Sequence, residues 1–266
     1  MLIIGEKINS SRKNIKEVVK CKNKEFIQEL ARKQVEGGAQ MLDLNIGTIR
    51  KSESEDMRWL VKTVQEAVDV PLCIDSPNYE AIKVGLEVYD ENKGKVLINS
   101  VTAERERLDL ILPLVKKYQC SVVALTMSED GIPQDSKKRF KIADELIKEL
   151  TGEGIPIEDI YIDPLTLPVS TNIQNANIVL DTLKRIKDSC PEIKTVIGLS
   201  NISYGLPKRS LINQSFVVLA MACGLDAAIL DSTDQNMMAL IKATDLLLGK
   251  DEFCRQYLKA FREGRL

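Results

Sequence analysis

Residues 41–75 read MLDLNIGTIRKSESEDMRWLVKTVQEAVDVPLCID, and the fold turns on this stretch. It opens on Met41-Leu42-Asp43-Leu44-Asn45-Ile46 and closes on Pro71-Leu72-Cys73-Ile74-Asp75. Both are short, almost continuous apolar runs, as expected of parallel strands covered on both faces. Between them Met57, Leu60, Val61, Val64 and Val68 recur with the 3.6-residue period, which predicts an amphipathic helix. The unit is β-α-β, and each of its strands ends on a carboxylate or an amide.

The same pattern repeats on either side. Further runs at 2–8, 95–100, 120–126, 160–163, 194–200 and 227–231 bring the set to eight. Phe26, Leu30 and Ala31 begin a helix that Gly37-Gly38 ends, while Phe140, Ala143, Ile147 and Leu150 mark another helical face. Thr102 before Glu104 reads as an N-cap with acid in the first turn. Pro113 predicts a kink or two shorter helices, and Gly249 stops a helix that begins near Asn236. Eight such units in 266 residues match a (β/α)8 barrel, which needs ~250. The expectation is one α/β domain over residues 1–266, with a short C-terminal extension past Lys250. A doubly wound open sheet fits less well, because no G-x-G-x-x-G follows the first strand.

Composition narrows the chemistry. The chain has no histidine, which removes imidazole acid/base catalysis, Ser-His-Asp and Cys-His nucleophiles, and imidazole metal sites. Its six cysteines contain no C-x-x-C pair, so neither zinc, iron–sulfur nor redox spacing is present. A net charge of -2 argues against nucleic acid as the main ligand. No apolar run reaches the ~20 residues that span a bilayer. Glu6 and Lys7 interrupt the opening apolar residues, so no secretory leader is expected and the chain is read as cytoplasmic.

In a barrel, function gathers at the carboxyl ends of the strands. Those ends carry Glu6 and Asn9, Asp43 and Asn45, Asp75, Asn99, Thr126, Asp163, Ser200 and Asn201, and Asp231. Each alone has an ordinary use in starting a turn or capping a helix. As a ring they suit a planar heterocycle with adjacent N–H donors, because one carboxylate accepts two parallel hydrogen bonds. A pterin presents such an edge. A divalent ion such as Mg is the competing ligand, but nothing in the spacing demands it and no metal is expected.

Several stretches carry a family resemblance: 1–9, Leu42-Asp43-Leu44-Asn45-Ile46-Gly47, Leu72-Cys73-Ile74-Asp75-Ser76, Ile98-Asn99-Ser100, Leu125-Thr126-Met127, Tyr161-Ile162-Asp163-Pro164-Leu165 and Gly198-Leu199-Ser200-Asn201-Ile202-Ser203. As an ordered set they resemble the methyltetrahydrofolate:corrinoid protein methyltransferases. The folate module of cobalamin-dependent methionine synthase is similar, and dihydropteroate synthase is a more distant relative. The resemblance implies that Asp75, Asn99 and Asp163 hold the pterin of tetrahydrofolate or 5-methyltetrahydrofolate. It places Asn201 near N5, with Gly198, Ser200 and Arg209 shaping that wall, and Glu6, Asp43 and Tyr204 on the rim. The related methyltransferases have Gln where this chain has Tyr204, and dihydropteroate synthase has Ser-Arg-Lys where this chain has Ser200-Asn201-Ile202. Ser10-Ser11-Arg12-Lys13 is expected to be a solvated loop.

The implied chemistry is methyl transfer between N5 and the cobalt of cobalamin carried by a transient corrinoid protein partner. No side chain here supplies so strong a nucleophile. Asn201 would contribute a hydrogen bond that strengthens at N5 in the transition state, with a proton reaching N5 through water held by Asp75 or Asn99. Direction is left open: acetogens run such enzymes from methyl-folate to cobalt, methylotrophic demethylases the reverse. A dihydropteroate synthase-like condensation and a non-catalytic folate-binding subunit are the alternatives. A homodimer, built from apolar helix faces near the C-terminus, is also implied.

Overall fold

The computed structural model describes residues 1–47 and 52–266. Eight strands close into a barrel in sequence order, every neighbouring pair parallel. They are β1 (Leu2–Asn9), β2 (Met41–Asn45), β3 (Leu72–Asp75), β4 (Leu97–Thr102), β5 (Ser121–Leu125), β6 (Ile160–Asp163), β7 (Lys194–Gly198) and β8 (Ala227–Leu230). The first loop carries α1 (Lys13–Lys20). The barrel is wrapped by α2 (Lys24–Glu36), α3 (Glu53–Gln65), α4 (Tyr79–Glu87), α5 (Arg105–Tyr118), α6 (Ser136–Gly152), α7 (Asn175–Ser189), α8 (Arg209–Ala222) and α9 (Gln235–Leu247). The extension is α10 (Arg255–Arg262), which rests on α9 through the buried Ala260.

Strand periodicity of two decides what lies inside. One residue from each strand, Ile4, Met41, Cys73, Leu97, Val123, Tyr161, Val196 and Ala227, fills the barrel interior as an apolar plug. The opposite parity packs outward against the helices: Leu42, Leu44, Leu72, Ile74, Ile98, Val122, Ile160 and Ile162 are fully buried there. The continuous apolar runs of the sequence are thus strands with two covered faces.

Four details differ from the sequence reading. Thr102 belongs to β4, and α5 begins three residues later; its hydroxyl still accepts from Glu104 N at 3.2 Å. Pro113 sits inside one unbroken α5. The buried face of α2 is Ile27, Ala31 and Gln34, with Phe26 turned outward. In α6 the buried face is Arg139, Ile142, Ala143, Leu146 and Leu150 rather than the stripe through Phe140 and Ile147. The last two shifts share a cause: a buried polar side chain occupies the face because backbone groups of the barrel need it.

Gln34 shows this at β1. The β1–β2 register slips between Gly5 and Ile8. Within that slip Lys7 N donates to Gln34 Oε1 at 2.8 Å. Bulges of this kind re-aim side chains next to functional sites, and here the slipped residues include Glu6. Gly5 leaves room for the amide, since a Cβ there would lie 2.6 Å from Gln34 Oε1. Gly5→Ala is therefore expected to destabilise the fold by about 1–3 kcal/mol, while Gly152→Ala, whose Cβ meets nothing within 4 Å, serves as the neutral control. Thermal unfolding followed by circular dichroism checks this; equal midpoints for the two variants would remove Gln34 as the support of β1.

Candidate active site

The site follows from the same parity. Two residues beyond each member of the apolar plug stand Glu6, Asp43, Asp75, Asn99, Leu125, Asp163, Gly198 and Ile229, and all eight line one hollow of about 850 Å³ at the carboxyl ends of the strands. Asn201, Ser200, Arg209 and Tyr204 line it from the β7 side, with Asn9 at the end of β1 and Arg12 in the first loop. Glu6, Asp43, Asp75, Asn99, Asp163, Gly198, Ser200, Asn201, Tyr204 and Arg209 thus open onto one space. Thr126 and Asp231 do not, because each lies one residue past the inward parity. Thr126 is fully buried outside the hollow, and Asp231 pairs with Lys7 at 2.8 Å. The inward positions at those two strands are the apolar Leu125 and Ile229.

Three carboxylates share the floor. Asp43 is buried, and its Oδ1 has no hydrogen-bond partner among the described residues. Burial, with repulsion from Asp75 and Glu6, holds its carboxyl well above the usual range, although Cys73 hydrogen-bonds to it. Burial raises Asp75 to about 6 even though Asn45 Nδ2 donates to its Oδ2 at 2.6 Å. Burial likewise raises Asp163 to about 7, against the opposing pull of Leu165 N, which donates to Oδ1 at 2.7 Å, and of the Arg139 charge. The site therefore presents acceptors whose negative form is costly unless donors pair with them.

Two arginines that the sequence reading missed support these acids, Arg107 from the edge of the hollow and Arg139 from outside it. Arg107 on α5 donates to the carbonyls of Ser100 (2.9 Å), Pro77 (2.8 Å) and Ser76 (3.0 Å), and its charge favours ionised Asp75. Arg139 on α6, 1 % exposed, donates to the carbonyls of Pro133 (2.8 Å), Pro164 (2.6 Å) and Leu165 (2.6 Å). Arg107 ties the loop after β3 to β4, and Arg139 ties the loop after β5 to the loop after β6. The single sequence signal was a charged residue interrupting an apolar helical stripe, which period analysis discards.

Beyond β7 the chain enters a 3-10 turn, Leu199–Ser203, that carries Ser200 and Asn201. Ser200 Oγ donates to Glu6 Oε2 at 2.6 Å, while Arg12 holds Glu6 Oε1 at 2.6 Å. Arg209 braces the same turn through Ser203 Oγ (3.0 Å) and the Ser200 carbonyl (2.6 Å). Gly198 lets the Asn201 amide lie against the strand end, since a Cβ there would stand 3.2 Å from its Nδ2. The 10–13 run is thereby corrected: Ser10 is buried and accepts from Gly47 N at 3.1 Å, and Arg12 is a member of the site wall.

The chain belongs to the pterin binding enzyme family, whose pattern matches residues 5–231. Within it the chain is 38% identical, over 268 aligned positions, to the methylcorrinoid:tetrahydrofolate methyltransferase of Eubacterium limosum, covering 100% of this chain and 98% of that protein. It is 29% identical to the methionine synthase of Mycobacterium tuberculosis over 88% of this chain, which spans 20% of that longer protein. The crystal structure of Yersinia pestis dihydropteroate synthase superposes with a TM-score of 0.69, covering 93% of each chain at 16% identity, a likeness of fold.

The electrostatics predict a trade of stability for binding. With Asp163 raised to about 7, the folded form holds a proton that the unfolded chain releases near its ordinary value. Stability therefore falls as pH rises through that interval, and the whole cost is present above it. Asp163→Asn is expected to raise the thermal midpoint at pH 8 by several degrees, roughly 2 kcal/mol, with little change at pH 4. A lower midpoint at pH 8 would mean that the carboxylate is stabilising rather than strained.

Proposed function

We propose that the protein, read as one pterin-binding barrel domain over residues 1–266, transfers a methyl group between the cobalt of a separate corrinoid protein and N5 of tetrahydrofolate. The observation that carries this reading is the hollow itself: Asp75, Asn99, Asp163 and the Asn201 turn line one space at the carboxyl ends of the strands. The full-length likeness to a methylcorrinoid:tetrahydrofolate methyltransferase supports it, and supports the direction from methyl-corrinoid to tetrahydrofolate.

The roles follow from donor and acceptor count. Asp163 and Asp75 accept from the 2-amino group and ring N–H of the pterin, and the Asn99 amide complements the 4-oxo edge. Cobalt supplies the methyl group. N5 attacks it, the electron pair of the breaking Co–C bond stays on the metal, and the N5 proton leaves. In that direction the Asn201 amide oxygen accepts from N5–H; in the reverse direction its N–H donates as charge changes at N5. The proton passes between N5 and solvent through water held by Asp75 or Asn99. Glu6, Ser200, Arg12 and Arg209 hold the turn in place, and the Asp43 carboxyl lies beneath Asp75.

A dihydropteroate synthase-like condensation needs cations on this turn. The residue after Asn201 is Ile202, 1 % exposed and packed in the core, which disfavours that alternative. The reading extends to a homodimer, supported by exposed Leu247, Phe253 and Phe261 near the C-terminus. It also includes a cytoplasmic location, and among the described residues no helix is long and apolar enough to cross a membrane.

Mixing the protein with methylcobalamin and tetrahydrofolate, and separately with cob(I)alamin and methyltetrahydrofolate, tests the activity by absorbance. Transfer is expected in both directions, and its absence in both would end the proposal. Asn201→Ala is expected to slow single-turnover transfer by about 2–4 kcal/mol in transition-state stabilisation; an unchanged rate would remove Asn201 from the chemistry. Because the pterin is gripped by ionised Asp75 and Asp163, raised to about 6 and about 7, folate affinity should fall as pH drops from 8 to 5. A flat profile by fluorescence titration would contradict the grip.

A further inference from the structure

Tyr204 is the one large side chain at the mouth for which the pterin reading has no use. The residue is 65% exposed, and it is the single aromatic among the described residues lining the hollow. An aromatic ring left in water on a fixed backbone favours stacking, because little freedom remains to be lost on contact. That backbone is held at both ends. Tyr204 N donates to the Asn201 carbonyl at 3.1 Å, and the Tyr204 carbonyl accepts from Ser170 Oγ at 2.7 Å. Arg209, itself bonded to the turn, stands 6.0 Å from the ring centroid, at the edge of cation–π range.

The covalent structure of a folate does the rest. The substituent that distinguishes a folate from a bare pterin, p-aminobenzoyl-glutamate, is attached at C6, and C6 is bonded to N5. A pterin whose N5 faces Asn201 must therefore send its tail out over the same wall, three residues from Asn201 along the turn. The first rigid group it meets there is an aromatic ring with a guanidinium beside it, matching a benzoyl ring followed by carboxylates. We infer that Tyr204 is the platform on which the p-aminobenzoyl ring of the substrate stacks, so that this wall selects tailed folates over bare pterins. The inference rests on the pterin reading of the hollow and adds a specificity-determining residue to it.

The test compares tetrahydrofolate with 6-methyltetrahydropterin, which has the same ring and no tail, as ligands of the full chain by calorimetric titration. Wild type should bind both, tetrahydrofolate more tightly. Tyr204→Ala should weaken tetrahydrofolate roughly five- to tenfold and leave 6-methyltetrahydropterin unchanged, and Tyr204→Phe should restore tetrahydrofolate binding. Equal weakening of both ligands would overturn the inference, because the residue would then only shape the turn. It also fails if both affinities stay at wild type, including the case where only transfer to cobalamin slows, which would assign the ring to the corrinoid side. Failure of wild type to bind either ligand would sink the pterin reading and this inference together, an outcome distinct from the others.

Discussion

Three carboxylates in one space, Asp43 buried and Asp75 and Asp163 half-buried, are the constraint to which the rest of the structure answers. Asp43, Asp75 and Asp163 stand at the mouth of a barrel whose interior below them is an apolar plug. Water alone solvates them poorly, and desolvation lifts all three above the usual carboxylate range. Such a site costs stability in isolation. It gains when a ligand brings several N–H donors in one plane, because ligand hydrogen bonds then replace the missing solvation.

The surroundings hold this arrangement in place. Arg107, at the edge of the hollow, and Arg139, outside it, place positive charge near two of the acids while spending their hydrogen bonds on backbone carbonyls, so the charge is fixed in place. Ser76 Oγ donates to buried Glu53 at 2.7 Å, which bolts the loop after β3 to α3. On the far side Glu6 joins β1 to the turn after β7 through Ser200 and Arg12. Acids and amide therefore belong to one rigid frame, as a reaction governed by orientation requires.

Much of this was legible in the sequence, for a physical reason. Parallel strands covered on both sides leave unbroken apolar runs, and all eight appear where they were read. Asp75, Asn99 and Asp163 were visible as polar residues terminating such runs. Parity was less visible, because a run apolar on both faces carries no alternation: Thr126 and Asp231 looked equivalent to the true lining residues and point elsewhere. Gln34, Arg107 and Arg139 were hidden for a related reason. Their partners are backbone carbonyls and amides distant in sequence, exposed by bulges and loop paths that local periodicity does not encode. Arg12 was misjudged because an Arg-Lys pair in a loop ordinarily means solvent, whereas here Glu6 is within reach.

We propose that a pterin lies across the mouth with its N–H edge on Asp75 and Asp163 and N5 toward Asn201. A crystal structure of the protein with tetrahydrofolate bound measures this most directly. The account predicts the pterin edge within hydrogen-bond distance of both carboxylates and of Asn99, and N5 about 3 Å from the Asn201 amide. A pterin seated outside the hollow, or turned so that N5 faces the apolar wall of Leu125, would contradict it.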